Sequence, residues 1–146
     1  MNDPEFRLVP IRELKIHEQV DELRVQEILK SLKRTRVVEE PIWVDGQSWV
    51  ILNGHHRFKA LELLGAHAVP AWVFDYDDHR VRLHRWQPGP DISKEEVRQR
   101  GREGRPFPPK TTRHHIEHDL PVRPTPLSEL GLPERRRSSR GSPPSR

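Results

Sequence analysis

The chain has 146 residues, 32% hydrophobic and 33% charged, which suits one modest core with appendages and argues against a second full domain. It has no cysteine, which excludes disulfides and thiolate metal sites, and no apolar run nears the ~20 residues of a membrane helix. The net charge of +4 resides in the tail, residues 133–146 (PERRRSSRGSPPSR), because residues 1–132 balance at 21 basic and 21 acidic side chains; the body therefore lacks the basic surplus of a nucleic-acid binder.

The first residues, MNDPEFRLVP, carry no hydrophobic signal core, so a cytoplasmic protein is expected. Residues 7–11 (RLVPI) read as a short strand ending at Pro10. Asp21 is placed to cap a helix over 22–35, where Val25, Ile28, Leu29 and Leu32 recur at core-facing intervals. Residues 41–44 and 49–52 are predicted strands, joined by a tight Asp45-Gly46 hairpin turn. A second helix follows Gly54, burying Phe58, Leu61 and Leu64 and stopping at Gly65. Residues 69–76 and 81–86 are further strands, and Ser93 with Glu96 forms a capping box for a short helix. Residues 107–118 begin irregularly, and Thr125-Pro126 should open one helical turn in PLSELGL. This mixture without regular alternation predicts an α+β fold, a small mixed sheet with packed helices in a single domain. Residues 1–90 would form the core and 91–132 a helix and the Lys110–His114 segment packed on it. Residues 133–146 would be a disordered basic tail, incidental or a weak anion-binding arm.

Four stretches bear chemistry. At the strand–Asn53-Gly54–helix junction, a helix N-terminus carries roughly half a positive charge. His55, His56 and Arg57 are thus badly placed cations unless an anion such as phosphate binds there, where backbone N–H groups and arginine would grip it. The alternative is that the histidines are neutral and merely cap or pack. In PKTTRH, Lys110, Thr111, Thr112, Arg113 and His114 could hold phosphate or carboxylate oxygens, or be a solvated linker. His114 and His118 would share a helix face at i, i+4, a weak metal pair short of the three or four ligands zinc needs. Glu18, after His17, is either a solvated loop carboxylate or a general base.

Together these stretches resemble the ParB/sulfiredoxin-like superfamily and, within it, the free serine kinase branch, over about residues 8–132. The resemblance rests on VPIRELKIHEQV with His17-Glu18, PIWVDGQSWVILNGHHRFKALELLG with the Asn53–Arg57 junction, and the distal Pro109-Lys110-Thr111-Thr112-Arg113-His114. It implies a ParB N-terminal domain fold and transfer of a phosphoryl group from ADP or ATP, with Mg²⁺, to the hydroxyl of a small amino acid. Glu18, Asn53 and His55 would be catalytic, and Gly54, His55, His56 and Arg57 would hold the nucleotide phosphates. Trp86 with Lys110, Thr111, Thr112, Arg113 and His114 would close over the substrate, with the 110–114 segment folding back onto the junction. No protein ligand to a metal, and no membrane partner, is expected. Two departures stand out. The family junction begins with aspartate where this chain has Asn53, and the module that longer relatives carry after the VRLHRW strand is reduced to QPGPDI. The candidates to supply the missing carboxylate are Asp75, Asp77 and Asp78. The alternatives are a ParB-like nucleotide-dependent DNA-binding or regulatory module, the only reading that involves nucleic acid, and a non-catalytic nucleotide-binding relative, for which Asn53 argues.

Overall fold

The computed structural model describes residues 3–133. A four-stranded sheet in the order β1-β5-β3-β4 forms the middle layer. β1 (Glu5–Pro10) runs antiparallel to β5 (Ala68–Phe74), which runs parallel to β3 (Ile42–Asp45); β3 pairs antiparallel with β4 (Ile51–Asn53). Pro70 is tolerated in a strand paired on both sides because pairing with β3 begins only at Ala71.

Strand periodicity distributes the apolar side chains between two cores. Val69, Ala71 and Val73 of β5, Ile42 and Val44 of β3 and Ile51 of β4 face one core, covered by α1 (Glu22–Thr35) and α2 (His55–Leu64). Trp72 and Phe74 of β5 and Leu52 of β4 face the other, with Tyr76, Val81 and Ile116. That second core is closed by α3 (Lys94–Glu103) through Val97 and by the antiparallel pair β6 (Val81–Arg85) and β7 (Thr112–Ile116). Each fully buried Val or Ile is worth ~1.5–3 kcal/mol, so β5, buried on both faces, anchors the domain.

α1 follows its sequence pattern closely. The Asp21 side chain accepts from the Leu23 N–H at 3.0 Å, Val25 and Leu32 are buried, and Arg36 ends the helix in the left-handed region. α3 is capped by Ser93, which accepts from the Glu96 N–H. Three expectations fail. The Asp45-Gly46 connection is no two-residue turn: the Asp45 carboxylate accepts from the Gln47 and Ser48 N–H groups and the Ser48 hydroxyl, and Trp49 takes the positive φ of 63°. A buried aspartate with local donors outcompetes the glycine turn. His114 and His118 do not share a helix, because residues 112–116 are strand; His114 points inward and His118 lies beyond the strand end. Finally, Thr125–Pro126 is a strand, β8, paired with an unforeseen β2 (Val37–Val38), and the turn that follows over Leu127–Leu130 is 3-10. The predicted disordered tail lies, apart from Pro133, outside the described residues.

Candidate active site

α3 is anchored to the rest of the domain by Arg98. Arg98, 5% exposed, donates from Nε to Asp45 Oδ2 at 2.8 Å and from Nη1 to Asp77 Oδ1 at 3.0 Å. Burial alone would raise the Asp45 carboxyl, but the hydrogen bonds from Arg98 and Ser48 hold it below its ordinary value. Gly101 lets the helix approach β4 so closely that a methyl there would collide with Val50. The chain leaving α3 then pairs with the segment around Glu18: Phe107 N–H donates to His17 O and Gln19 N–H to Phe107 O, both at 2.8 Å.

The turn that follows wraps around the Glu18 carboxylate. Lys110, at φ 58°, directs its N–H to Oε2 at 3.1 Å. Oε1 accepts from the Thr111 and Thr112 N–H groups at 3.2 and 2.8 Å and from the Thr112 hydroxyl at 2.8 Å. Glu18 is thus no solvated loop acid. Its orientation is fixed by three consecutive backbone donors, and Oε2, with one donor among the described residues, keeps a lone pair for a proton.

The Asn53-Gly54 junction is tied to this segment through His55 and His56. Gly54 has φ 103°, and a Cβ there would sit 2.5 Å from Ile42 Cγ2, so only glycine fits. It offers no capping side chain, which leaves the first-turn N–H groups of α2 without one. His55 Nε2 accepts from the His17 N–H at 3.2 Å, and His56 Nε2 accepts from the Asp21 N–H at 3.0 Å. Burial pushes His55 well below its ordinary value, reinforced by His17 and His114, and lowers His56 with help from Arg24. The dipole conflict expected at this helix end is therefore relieved by neutral rings, and Arg57 is the remaining cation of the three. Its Nη2 donates to the Pro41 carbonyl at 3.1 Å, its buried Nε has no hydrogen-bond partner among the described residues, and burial lowers its pKa.

The two predicted clusters do come together. His17, completely buried, packs edge-on against His55 at 4.7 Å and His114 at 5.7 Å between ring centroids. Thr112 and His114 face inward from β7, while Arg113 faces out and stacks over the Trp86 ring at 5.0 Å. Trp86, half-exposed, is held beside the clamp by its N–H bond to Thr111 O. Asp77 and Asp78 are engaged by Arg98 and Arg80. The sequence reading missed His17 as a buried hub; its only sequence signal is its place beside Glu18. It also missed a cavity of about 380 Å³ beside Asn53 and Arg57, lined by Trp43, Trp72 and Arg123. Among the described residues no group of three His, Asp or Glu side chains could hold a metal ion, and no helix is long and apolar enough to cross a membrane.

The mixed α+β fold defines a class of domain, and the sequence matches place the chain in a family. A family model for the ParB N-terminal domain matches residues 4–87, and the chain belongs to that family. It is 32% identical over 85 residues to an ATP-dependent L-serine kinase of Staphylothermus marinus, across 56% of this chain and 34% of that protein. It is 35% identical over 86 residues to a ParB-like protein of Sulfolobus acidocaldarius, across 59% and 43%. An ADP-dependent L-serine kinase of Thermococcus kodakarensis is 26% identical over 88 residues. The matched stretch thus spans only about a third to two fifths of these relatives. The fold is shared with a free serine kinase in complex with AMP (TM-score 0.77, 17% identity, 88% of this chain and 93% of that one). It is also shared with C-terminally truncated SbnI from Staphylococcus aureus (TM-score 0.75, 14% identity, 86% and 88%).

Proposed function

We propose that this chain is a phosphotransferase that moves a phosphoryl group from ADP or ATP to the hydroxyl of free serine or a similarly small amino acid. The observation that carries this reading is the Glu18 carboxylate, oriented by the backbone of residues 110–112 and close enough to His56, in the first turn of α2, to interact with it electrostatically. Phosphoryl transfer depends mainly on positioning and charge neutralisation, and this arrangement supplies both.

In the proposed reaction the nucleotide phosphates lie at the first turn of α2, where uncapped N–H groups and Arg57 balance their charge. The acidic rim of the neighbouring cavity, Glu39 and Glu40, repels phosphate, whereas its indoles suit the uncharged base. Trp86 and Arg113 flank the acceptor amino acid. Its hydroxyl oxygen attacks the terminal phosphorus, the hydroxyl proton passes to Glu18 Oε2, and the nucleotide leaves with its bridging oxygen. The described residues do not form a cage for Mg²⁺. The ion, when it accompanies the nucleotide, supplies charge neutralisation at phosphate oxygens, and its ligands would be those oxygens and water.

Asn53 favours a second reading, a nucleotide-binding relative without turnover, because an amide cannot exchange a proton as aspartate does. Incubating the protein with L-serine, Mg²⁺ and ATP or ADP in turn separates the two. O-phosphoserine in the wild type supports the kinase. Nucleotide binding without product, with product restored in Asn53→Asp, supports the second reading. No product with any donor in either protein overturns the first.

A further inference from the structure

Thr112 belongs by sequence to the substrate segment, yet its hydroxyl is engaged inside the protein. Oγ1 lies 2.7 Å from His17 Nε2 and 2.8 Å from Glu18 Oε1. His17 Nδ1 lies 2.7 Å from the Ile51 carbonyl oxygen, which only accepts, so Nδ1 carries the hydrogen and Nε2 of the neutral ring presents a lone pair. Burial keeps that ring neutral, lowering its pKa to about 4. An ionised Glu18 Oε1 is also acceptor-only. One hydroxyl hydrogen therefore faces two acceptors, both at hydrogen-bonding distance, and can satisfy one. While Glu18 is ionised, the charged oxygen takes the hydrogen and the ring lone pair faces an oxygen. Once Oε2 gains a proton, Oε1 becomes a neutral carbonyl, a weaker acceptor than the imidazole lone pair, and the hydroxyl hydrogen can turn to Nε2.

We propose that Thr112 and His17 are positioning residues for Glu18, the Thr112 hydroxyl orienting the ionised carboxylate and turning to the buried imidazole when Glu18 takes up the substrate proton, so that its hydrogen keeps an acceptor in both states. This rests on the reading of Glu18 as the general base. No covalent bond changes at Thr112 or His17: the substrate O–H bond breaks, its electron pair goes to phosphorus, its proton goes to Glu18 and later to water. The groups facing the relay do not supply a competing proton acceptor for the Thr112 hydroxyl. His55 from α2 packs against His17 with Nε2 already accepting from the His17 N–H, His114 from β7 has Nε2 2.7 Å from the Tyr76 hydroxyl, and Phe107 has none to offer. The charged neighbours of Glu18 are Lys110, which contacts it through its backbone, and His56, which is neutral while it accepts from Asp21.

The test uses the full chain with ¹⁵N-labelled histidine at neutral pH and needs no turnover. Glu18→Gln imitates the protonated carboxylate. The His17 Nε2 resonance should shift towards hydrogen-bonded values relative to wild type, and the shift should vanish when Thr112→Val is added. Thr112→Ser in place of Thr112→Val should restore it. An Nε2 resonance unchanged by Glu18→Gln, or one that shifts equally without the hydroxyl, overturns the proposal. Should Glu18→Gln not fold, Glu18→Ala, which removes the competing carboxylate, takes its place: the His17 Nε2 resonance should shift in the same direction, and no shift refutes the relay. Because the resonance reports without catalysis, a failed relay is distinguishable from a failed kinase assignment.

Discussion

The buried histidine cluster makes the stability of this domain depend on pH in a window where few carboxylates titrate. Burial, aided for His114 by its neighbour His17, lowers His17 to about 4 and His114 to about 3, and pushes His55 down as well. A histidine depressed in the folded state binds protons more readily when unfolded, near an ordinary pKa of about 6.5. Its stabilising contribution is complete above that value and is withdrawn as pH falls towards the folded pKa. Between pH 7.5 and 5.5 the unfolded chain gains most of a proton at His17 and another at His114, which together cost about 2–3 kcal/mol. His55 adds to the loss. Against a typical total of about 5–15 kcal/mol this is a large fraction. Urea denaturation followed by tryptophan fluorescence at pH 7.5, 6.5 and 5.5 should show a falling midpoint at a constant slope. A midpoint that stays level or rises towards pH 5.5 would refute the claim that these rings are held neutral.

Three further outcomes follow from the same geometry. Asp45→Ala leaves Arg98 charged and buried without its main partner and should cost about 3–5 kcal/mol in denaturant, with most recovered when Arg98→Met is added. Gly54→Ala forces a side chain into a left-handed backbone and against Ile42; it should lower stability by about 1–3 kcal/mol and weaken nucleotide binding measured by calorimetry. Arg57→Ala should weaken nucleotide binding at least tenfold, and restored affinity at low ionic strength would not be expected because the site is buried.

Much of the fold was legible because its signals are local. The Asp21 cap, the 3.6-residue stripe of α1 and the Gly65 stop each act within one helix and appear where expected. The apolar runs of β4 and β5 identified strands, and their two-sided burial follows from sheet membership. What was hidden depends on partners far along the chain. Val37–Val38 is a strand only because Thr125–Pro126 lies beside it, and residues 112–116 are extended only because β6 pairs with them. The candidate site divides in the same way. The glycine at the junction and Arg57 were visible as residue types. The protonation of His55 and His56 was not, since it depends on backbone donors from His17 and Asp21 across 38 and 35 residues. The clamp on Glu18 is longer in range still, spanning more than 90 residues, and no spacing rule reveals it.

The account depends most on Glu18 acting as the base beside a bound nucleotide. Its most direct test compares wild type with Glu18→Ala for both nucleotide affinity by calorimetry and O-phosphoserine formed from L-serine. The expected result is an affinity within a few-fold of wild type and product formation lowered by ~10²–10⁴, the range for loss of a positioned acid or base. Product formed at the wild-type rate by the variant would contradict it.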